Sequence, residues 1–542
     1  MKAINFFLLK DNFFKKRYRS RHRSIIRGHR RLKSEGQISK IADLKRILAT
    51  SKLNIKNPHF STFIMGEYIK GDLMELSIRQ YLLLRLGAHD LNKALLLHKG
   101  NKKIKVALPL PKDWIGLIEK NGFEVAVMRS NFLWYLYLIF LVGYSFLQFI
   151  RILFGSILNT IKRTNLENSY IYFFNLTTGN IPKNSADLKS YDILSWYIKH
   201  SSNKANFKSI KHDVKGLGAT TLKNIEISQS SHGPIPYLKG WRKIINFFLW
   251  GIAAFVLSLF DLMRGRWWHA FILNQAILAK QVNLSSPKSL ATEYLFHNTN
   301  QTYRPLWTYT AENYGSKIIL YFYSTNVENL NINPTYAWRC MTWPKYLVWD
   351  QQQAKFLERS LGNPQNIEIV SSVWFSDKAD IEIPFMDNKK NISIFGVTPH
   401  RQTYYCTYAE ELDYVIPSIC NAFIKDILEV ANIFDKHCLL KAKRDIERYF
   451  AHPQYRHFLN SNQNNTNLSF IDPRIAANRV INSSSMVISF PFTATALIAK
   501  EQGIPACYYD PAKIVNQNHH GAHGIPIIQG KEALYKWVEL NC

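Results

Sequence analysis

SSSMVISFPFTATALIAKEQGIPACYYDP, residues 483–511, holds a complete strand–helix–strand unit. Met486–Phe490 (MVISF) is a short apolar run of strand length, Thr493–Gln502 has helical character, and Ile504–Tyr509 (IPACYY) is a second strand. Two strands joined through a helix run parallel, and their sheet carries helices on both faces. The same alternation extends upstream. Asn391–Val397 (NISIFGV), His437–Lys441 (HCLLK) and Leu468–Ile471 are expected strands. Between them lie a long helical region over Tyr408–Phe434, interrupted at Pro417, a polar loop at Asn460–Asn467, and a helix at Pro473–Asn482 with proline at its start. Residues 390–542 are therefore expected to form a Rossmann-like domain.

A polar, proline-containing stretch around 378–390 separates this domain from an earlier series. Its strands are expected at Lys105–Pro109, Phe123–Met128, Glu293–His297, Lys317–Tyr323, Tyr346–Asp350 and Ile367–Val373. Helices are expected at Asp113–Asn121, Pro305–Tyr314 and Gln351–Ser360. The fold class is α/β: two Rossmann-like domains facing a cleft, 61–380 and 390–542, preceded by a basic region, 1–60.

Composition agrees. The chain has 542 residues, 47% apolar and 14% aromatic, enough for a large core and incompatible with wholesale disorder. Lys and Arg exceed Asp and Glu by 30, which calls for an anionic partner: nucleic acid, a nucleotide-linked substrate or a membrane face. The six cysteines, Cys340 to Cys542, include no C-x-x-C pair, so a disulfide scaffold and a zinc knuckle are not expected. That usage suits a reducing, cytosolic compartment.

Two segments are apolar enough for a membrane. Ser130–Ile150 is 21 residues without a charge, and Ile244–Phe260 is 17. As helices they would reach about 31 Å and 25 Å. Both have Lys, Arg and Trp at their ends, as an interfacial belt does. They could span, lie in or dip into the interface, or be core helices; the basic loop 161–243 favours the second arrangement. The segment Lys10–Lys33 has eleven Lys/Arg and one acid, and is expected to be solvated and adhere to phosphates, with lipid head groups ahead of nucleic acid.

Ligands of open α/β sheets bind at the carboxyl ends of the strands. After HCLLK come Lys443 and Arg444, which with Lys441 make three cations in four positions. Ser484 and Ser485 precede MVISF, and Thr493 and Thr495 come after it at a helix start; Asp510 comes directly after IPACYY. Cations with hydroxyls and backbone N–H groups suit a phosphate or nucleotide diphosphate. There is no G-x-x-x-x-G-K-[ST] and no G-x-G-x-x-G, so neither a P-loop enzyme nor a standard dinucleotide enzyme is supported. No metal or other cofactor is expected: the cluster His519, His520 and His523 has no surrounding carboxylate pattern and suits a loop over a ligand.

The run SSSMVISFPFTATALIAKEQGIPACYYDP, preceded by LLKAKRD, resembles the donor-binding half of GT-B glycosyltransferases. It is similar to bacterial surface-carbohydrate biosynthesis proteins, distantly akin to polysialyltransferases and Kdo transferases. The resemblance implies that Lys441, Lys443, Ser484, Ser485, Thr493 and Thr495 surround the phosphate of a nucleotide sugar. Relatives commonly have His-Pro after the lysine, where this chain has Lys443–Arg444; its His452–Pro453 lies further on. An inverting transferase needs a carboxylate or histidine to take the acceptor proton. Glu293 and His297 are the candidates, with Glu67, Asp72 and Glu312 behind them; His400 and Arg401 could hold the donor. The expected activity is metal-independent transfer of a sugar, plausibly acidic or nonulosonic, from a nucleotide-sugar donor to a lipid-linked surface glycan. Its place is the cytoplasmic face of the inner membrane, with no nucleic acid as partner. The alternatives are a glycan-assembly scaffold of the same fold and a nucleotide-sugar epimerase.

Overall fold

The computed structural model describes residues 13–37, 39–55, 58–86, 88–162, 169–181, 192–200, 208–222, 224–297, 302–324, 339–362, 366–372, 391–400, 414–442, 451–473 and 475–542. Two sheets organise the chain. The first contains β1 (Tyr170–Phe173), β2 (Ser209–His212), β3 (Thr220–Leu222), β4 (Ile225–Gln229), β5 (Glu293–His297), β6 (Lys317–Tyr321), β7 (Tyr346–Val348) and β8 (Ile367–Ile369), in the order β3-β4-β2-β1-β5-β6-β7-β8. All its pairs are parallel except β3 with β4 at the edge. The second contains β9 (Asn391–Phe395), β10 (His437–Lys441), β11 (Leu468–Ile471), β12 (Met486–Ser489), β13 (Ala506–Asp510) and β14 (Ile527–Gln529). Its order is β11-β10-β9-β12-β13-β14, parallel throughout, the doubly wound order of a dinucleotide fold.

The inner strands read as unbroken apolar runs because helices cover both faces. In the first sheet Tyr170, Tyr172, Tyr294 and Phe296 point one way, toward Trp307 and the helix Trp268–Leu284. Ile171, Phe173, Leu295, Ile319 and Tyr321 point the other way, against Ile193, Leu194 and Tyr197 of the helix Asp192–His200. Residues on the same face alternate along each strand, as the pleat requires.

Several elements differ from their sequence expectation. Val106 and Val125 make only an isolated parallel bridge, and the chain turns helical at Val127, two residues later. Pro417 does not interrupt a helix: it opens the helix Pro417–Ile433, where a missing N–H is harmless. The helix expected at Pro473–Asn482 spans only Ala477–Asn482, so Pro473 precedes it by a turn. The linker 378–390 and residues 401–413 lie outside the described residues. The basic amino-terminal segment forms the helix Phe13–Ser34, crossing the helix Ala88–Gly100. The crossing is backbone on backbone: a Cβ at Gly28 would lie 1.9 Å from the Leu96 carbonyl oxygen, and one at Gly100 1.8 Å from that of Ser24.

The two long apolar helices, Val127–Ile161 and Trp241–Met263, pack side by side, with the ring of Phe149 against Phe247 and over Gly251. Both rest on the buried helix Trp268–Leu284. The carboxyl end of the second is held by a buried relay: Asp261 accepts at 2.6 Å from His269 Nδ1, and His269 Nε2 lies 3.1 Å from Ser61 Oγ.

Candidate active site

In the second sheet β9 has β10 on one side and β12 on the other. Connections leave these neighbours in opposite directions, opening a crevice at the carboxyl ends of β9 and β12. Phe490–Thr495 forms one wall. The Phe490 N–H donates to the Phe395 carbonyl at 2.8 Å, keeping the chain in register one residue past the strand. Phe492 then adopts φ +61°, a left-handed conformation that costs a bulky residue roughly 1–2 kcal/mol. Its ring is held against His519 and Tyr508, with centroids 4.8 and 5.8 Å away. The Tyr508 hydroxyl donates to the Thr493 carbonyl at 3.1 Å.

Two expected residues stand at this turn. Thr493 is the N-cap of the helix Ala494–Glu501, yet its hydroxyl donates backward to the Phe490 carbonyl at 2.8 Å and does not cap the helix. Thr495 Oγ1 lies 2.9 Å from Ser489 Oγ. Thr493 therefore leaves the N–H groups of the first turn uncapped, an arrangement that favours an anion.

Lys441 ends β10, the strand beside β9, and is 7% exposed. Burial pulls its ammonium pKa down to about 8, opposed by the charge of Asp472. Its Nζ reaches the carbonyls of Pro473 at 3.3 Å and Ala442 at 3.4 Å. Such a cation is poorly solvated and gains strongly from an arriving phosphate. Lys443, Arg444 and Arg401 lie outside the described residues. His400, just past β9, bridges Ala451.

The serines are elsewhere. Ser485 precedes β12, and its N–H and hydroxyl bond the carbonyl of Asn391, the first residue of β9, at 2.9 and 3.1 Å. Ser484 is buried, 2.6 Å from Ser393 Oγ and donating to Val480 O at 3.0 Å. Both lie at the amino edge, about 13 Å along the strand from the crevice. In a parallel sheet the residues before a strand and those after it stand at opposite edges, so Ser484 and Ser485 do not meet Lys441 and Thr493. Asp510 ends β13 at the carboxyl edge, but its carboxylate turns inward. It accepts from the N–H groups of Val515 at 2.8 Å and Ala512 at 3.1 Å, tying down the adjoining loop.

The first sheet divides Glu293 from His297 in the same way. They are the two ends of β5. Glu293, at the amino edge, accepts from the Tyr197 hydroxyl and lies 3.3 Å from Lys317 Nζ, its register partner on β6. His297, at the carboxyl edge, stacks on Tyr323 with centroids 4.2 Å apart. Burial draws its imidazole pKa down to about 4, so it is neutral at physiological pH. His212, at the end of β2, joins it on that sheet face and edge: its register partner Phe173 lies on the face that carries Leu295 and Tyr321. Burial first, and the Lys211 charge second, also bring His212 to about 4. Glu67 and Asp72 are exposed, and Glu312 is paired with Arg304.

Beyond the carboxyl edge of the first sheet the chain touches the second domain, at residues that precede β13 and β14. Asp350 lies just past β7 and caps the helix Gln351–Leu361 through the Gln353 N–H at 2.9 Å; its other carboxylate oxygen lies 2.6 Å from His523 Nδ1. Burial works against the Asp350 charge. The hydrogen bond and charge of His523, with the N–H groups of Gln353 and Gln352, outweigh it and hold the carboxyl below its usual range. Beside it the Ser372 N–H donates to Glu501 at 3.2 Å. Among the described residues no group of three His, Cys, Asp or Glu converges as a metal site would; His519 Nδ1 accepts from the Gly521 N–H instead. Sequence reasoning missed the Asp350–His523 contact and His212. The signal for Asp350 was its place directly after an apolar strand; SIKH, ending in His212, is too short and polar to announce a strand.

Against known proteins, a family model described as polysaccharide biosynthesis PFTS motif protein matches residues 250–538. The chain has Pro491-Phe492-Thr493-Ala494 at the turn described above, three letters of that motif's four. No curated protein matches. Among solved structures it is similar to a UDP-glucosyltransferase from Polygonum tinctorium, with 10% identity, 69% of this chain and 90% of that one covered, and a TM-score of 0.35. It is also similar to UDP-GlcNAc 2-epimerase from Methanocaldococcus jannaschii, with 10% identity, coverage of 68% and 91%, and a TM-score of 0.35. A third is Anabaena HepE in complex with UDP-glucose, with 9% identity, coverage of 68% and 89%, and a TM-score of 0.36. Likeness this distant assigns no residue a role.

Proposed function

We propose that this chain, which belongs to the polysaccharide biosynthesis PFTS motif family, is a glycosyltransferase that moves a sugar from a nucleotide-sugar donor to a lipid-linked glycan during surface polysaccharide synthesis. What supports this reading is the carboxyl edge of the second sheet, which carries buried Lys441 at the end of β10 and the uncapped start of the helix Ala494–Glu501 after β12. The donor's phosphates would sit between them. Both groups favour the charge that grows on the leaving nucleotide as the glycosidic bond breaks. At the carboxyl edge of the first sheet, His297 is neutral and would accept the acceptor hydroxyl's proton; Glu293, at the far edge and already bonded, is left a structural part. The two long apolar helices support a lipid-linked acceptor, with which the enzyme would work at a membrane, on its cytoplasmic face.

The test is binding followed by transfer. The full chain is screened by thermal shift against UDP, CDP, CMP and GDP; one of them is expected to raise the melting temperature, since a ligand held only by the folded form stabilises it. A radiolabelled sugar on that nucleotide is then expected to enter the lipid extract of membranes. Conversion of the nucleotide sugar to an epimer without any acceptor would make the chain an epimerase. No shift with any nucleotide, together with glycan synthesis unaffected by Lys441→Met in cells, would make it a scaffold.

A further inference from the structure

The helices Val127–Ile161 and Trp241–Met263 are packed on one side and bare on the other. On the first, the buried positions Ser130, Trp134, Leu138, Ser145, Phe149 and Ser156 recur at helical spacing from one end to the other. The opposite face shows Met128, Phe132, Phe140, Leu147, Phe154 and Leu158, each more than half exposed. The second helix repeats the pattern, burying Phe247, Trp250 and Ala254 while exposing Ile245, Leu249 and Val256. Most of the exposed large apolar side chains among the described residues sit on these two helices. Their bare area is on the order of 2,000 Å², several times the largest patch of an ordinary soluble monomer.

A spanning helix would set the chain before it and the chain after it on opposite sides of the bilayer. That does not hold. Before the first helix, Tyr81 lies 3.1 Å from Asn274 and Gln80 bonds the Cys340 carbonyl. After it, β1 pairs with β5. Between the two helices β1, β2 and β4 are strands of the sheet that β5–β8 complete. Crossing would split one sheet across the membrane. The first helix is also about 52 Å long, far more than the ~30 Å hydrocarbon core.

We propose that the two helices form a one-sided platform lying in the plane of an anionic lipid leaflet, with residues 164–240 on the same side as the rest of the chain. Charge selects this occupant over a second copy. Exposed Arg129, Arg151, Arg242 and Arg264 border the apolar surface, and the sequence has no acid from Val125 to Leu166 or from Trp241 to Phe260. Two copies would oppose these cations within chains of net charge +30, whereas lipid phosphates neutralise them. Arg264 lies over the Phe260 ring at 4.1 Å, an apolar stem with its charge at the rim. The inference shares only the membrane with the proposed function, so the nucleotide assays can fail without touching it.

The full chain is floated with vesicles of phosphatidylcholine alone and of equal parts phosphatidylcholine and phosphatidylglycerol. Strong flotation with the anionic vesicles is expected, weakened at least tenfold in the triple variant Phe132→Ser, Phe140→Ser, Leu147→Ser, whose melting temperature should match the parent because these side chains are exposed. Equal flotation of parent and variant, or a dimer that hides this face and ignores vesicles, would overturn the proposal. Topology is read in spheroplasts of an expressing bacterium, in a background lacking Cys406 and Cys542. A membrane-impermeant maleimide should leave Lys103→Cys and Lys215→Cys equally protected until lysis; labelling of Lys215→Cys alone in intact spheroplasts would mean that the helices span, and would end the proposal.

Discussion

Replacing Lys441 by Met should make the protein more stable and less able to bind its nucleotide. The ammonium is buried at the end of β10 and keeps its proton only to about pH 8. The gap from the usual 10.5 corresponds to roughly 3 kcal/mol of unfavourable charge burial at neutral pH. Proton counts set the sign. Below about pH 8 both folded and unfolded chains hold the proton, and the penalty is constant. Between 8 and 10.5 only the unfolded chain holds it, so stability climbs with pH. Lys441→Met keeps the apolar stem and removes the charge. It should gain up to about 3 kcal/mol at pH 7, and the advantage should close as the pH rises to 10.5. A hydrogen bond to a charged phosphate is worth roughly 1.5–3 kcal/mol, so nucleotide affinity should fall about 10- to 150-fold. Urea unfolding at the two pH values, with thermal-shift titration of the nucleotides, measures both. A variant that is less stable at pH 7 and binds nucleotide as before would show that Lys441 is a clip between the Ala442 and Pro473 carbonyls, and the site argument would fail.

Other outcomes are as specific. His212 and His297 are held neutral to about pH 4, so the unfolded chain takes up their protons first and stability should fall as pH drops from 6.5 toward 4. His212→Phe should flatten that acid limb by up to about 3 kcal/mol in acid-titrated unfolding, and an unchanged limb would contradict its burial as a neutral ring. Ala494→Ser restores the fourth motif letter at a half-buried first turn and should keep transfer within a few-fold, whereas Thr493→Val frees the Phe490 carbonyl and should lower stability by roughly 1 kcal/mol. Gly28→Leu drives a side chain into the Leu96 carbonyl and should cost at least 2–3 kcal/mol, read as a lowered melting temperature. Asp350→Asn removes the charged partner of His523 at the meeting of the lobes; proteolysis near residues 372–390 should become faster, and an unchanged rate would show that this contact does not hold them together.

Much of the second domain was legible in the chain. MVISF and HCLLK are apolar at most positions, as a strand covered on both faces requires, with Ser489 and Lys441 the buried exceptions. The turn after MVISF also announced itself, since proline, a hydroxyl and a helix start fall together there. The serines misled because SSS abuts an apolar strand in sequence; which edge of the sheet it occupies depends on whether it enters or leaves. Glu293 misled likewise, being close to His297 in sequence and a whole strand away in space.

Local composition by itself determined that this is a two-sheet α/β chain with two long apolar helices, because periodicity, helix starts and charge act over a few neighbours. Only tertiary structure decided which candidates share an edge, Lys441 and the Thr493 turn on the second sheet and His297 and His212 on one face of the first, and that Asp350 meets His523. It also decided that the apolar helices have both ends in one body. Those outcomes depend on strand order and edge, which are set by packing between segments hundreds of residues apart and leave no mark in any short stretch of sequence.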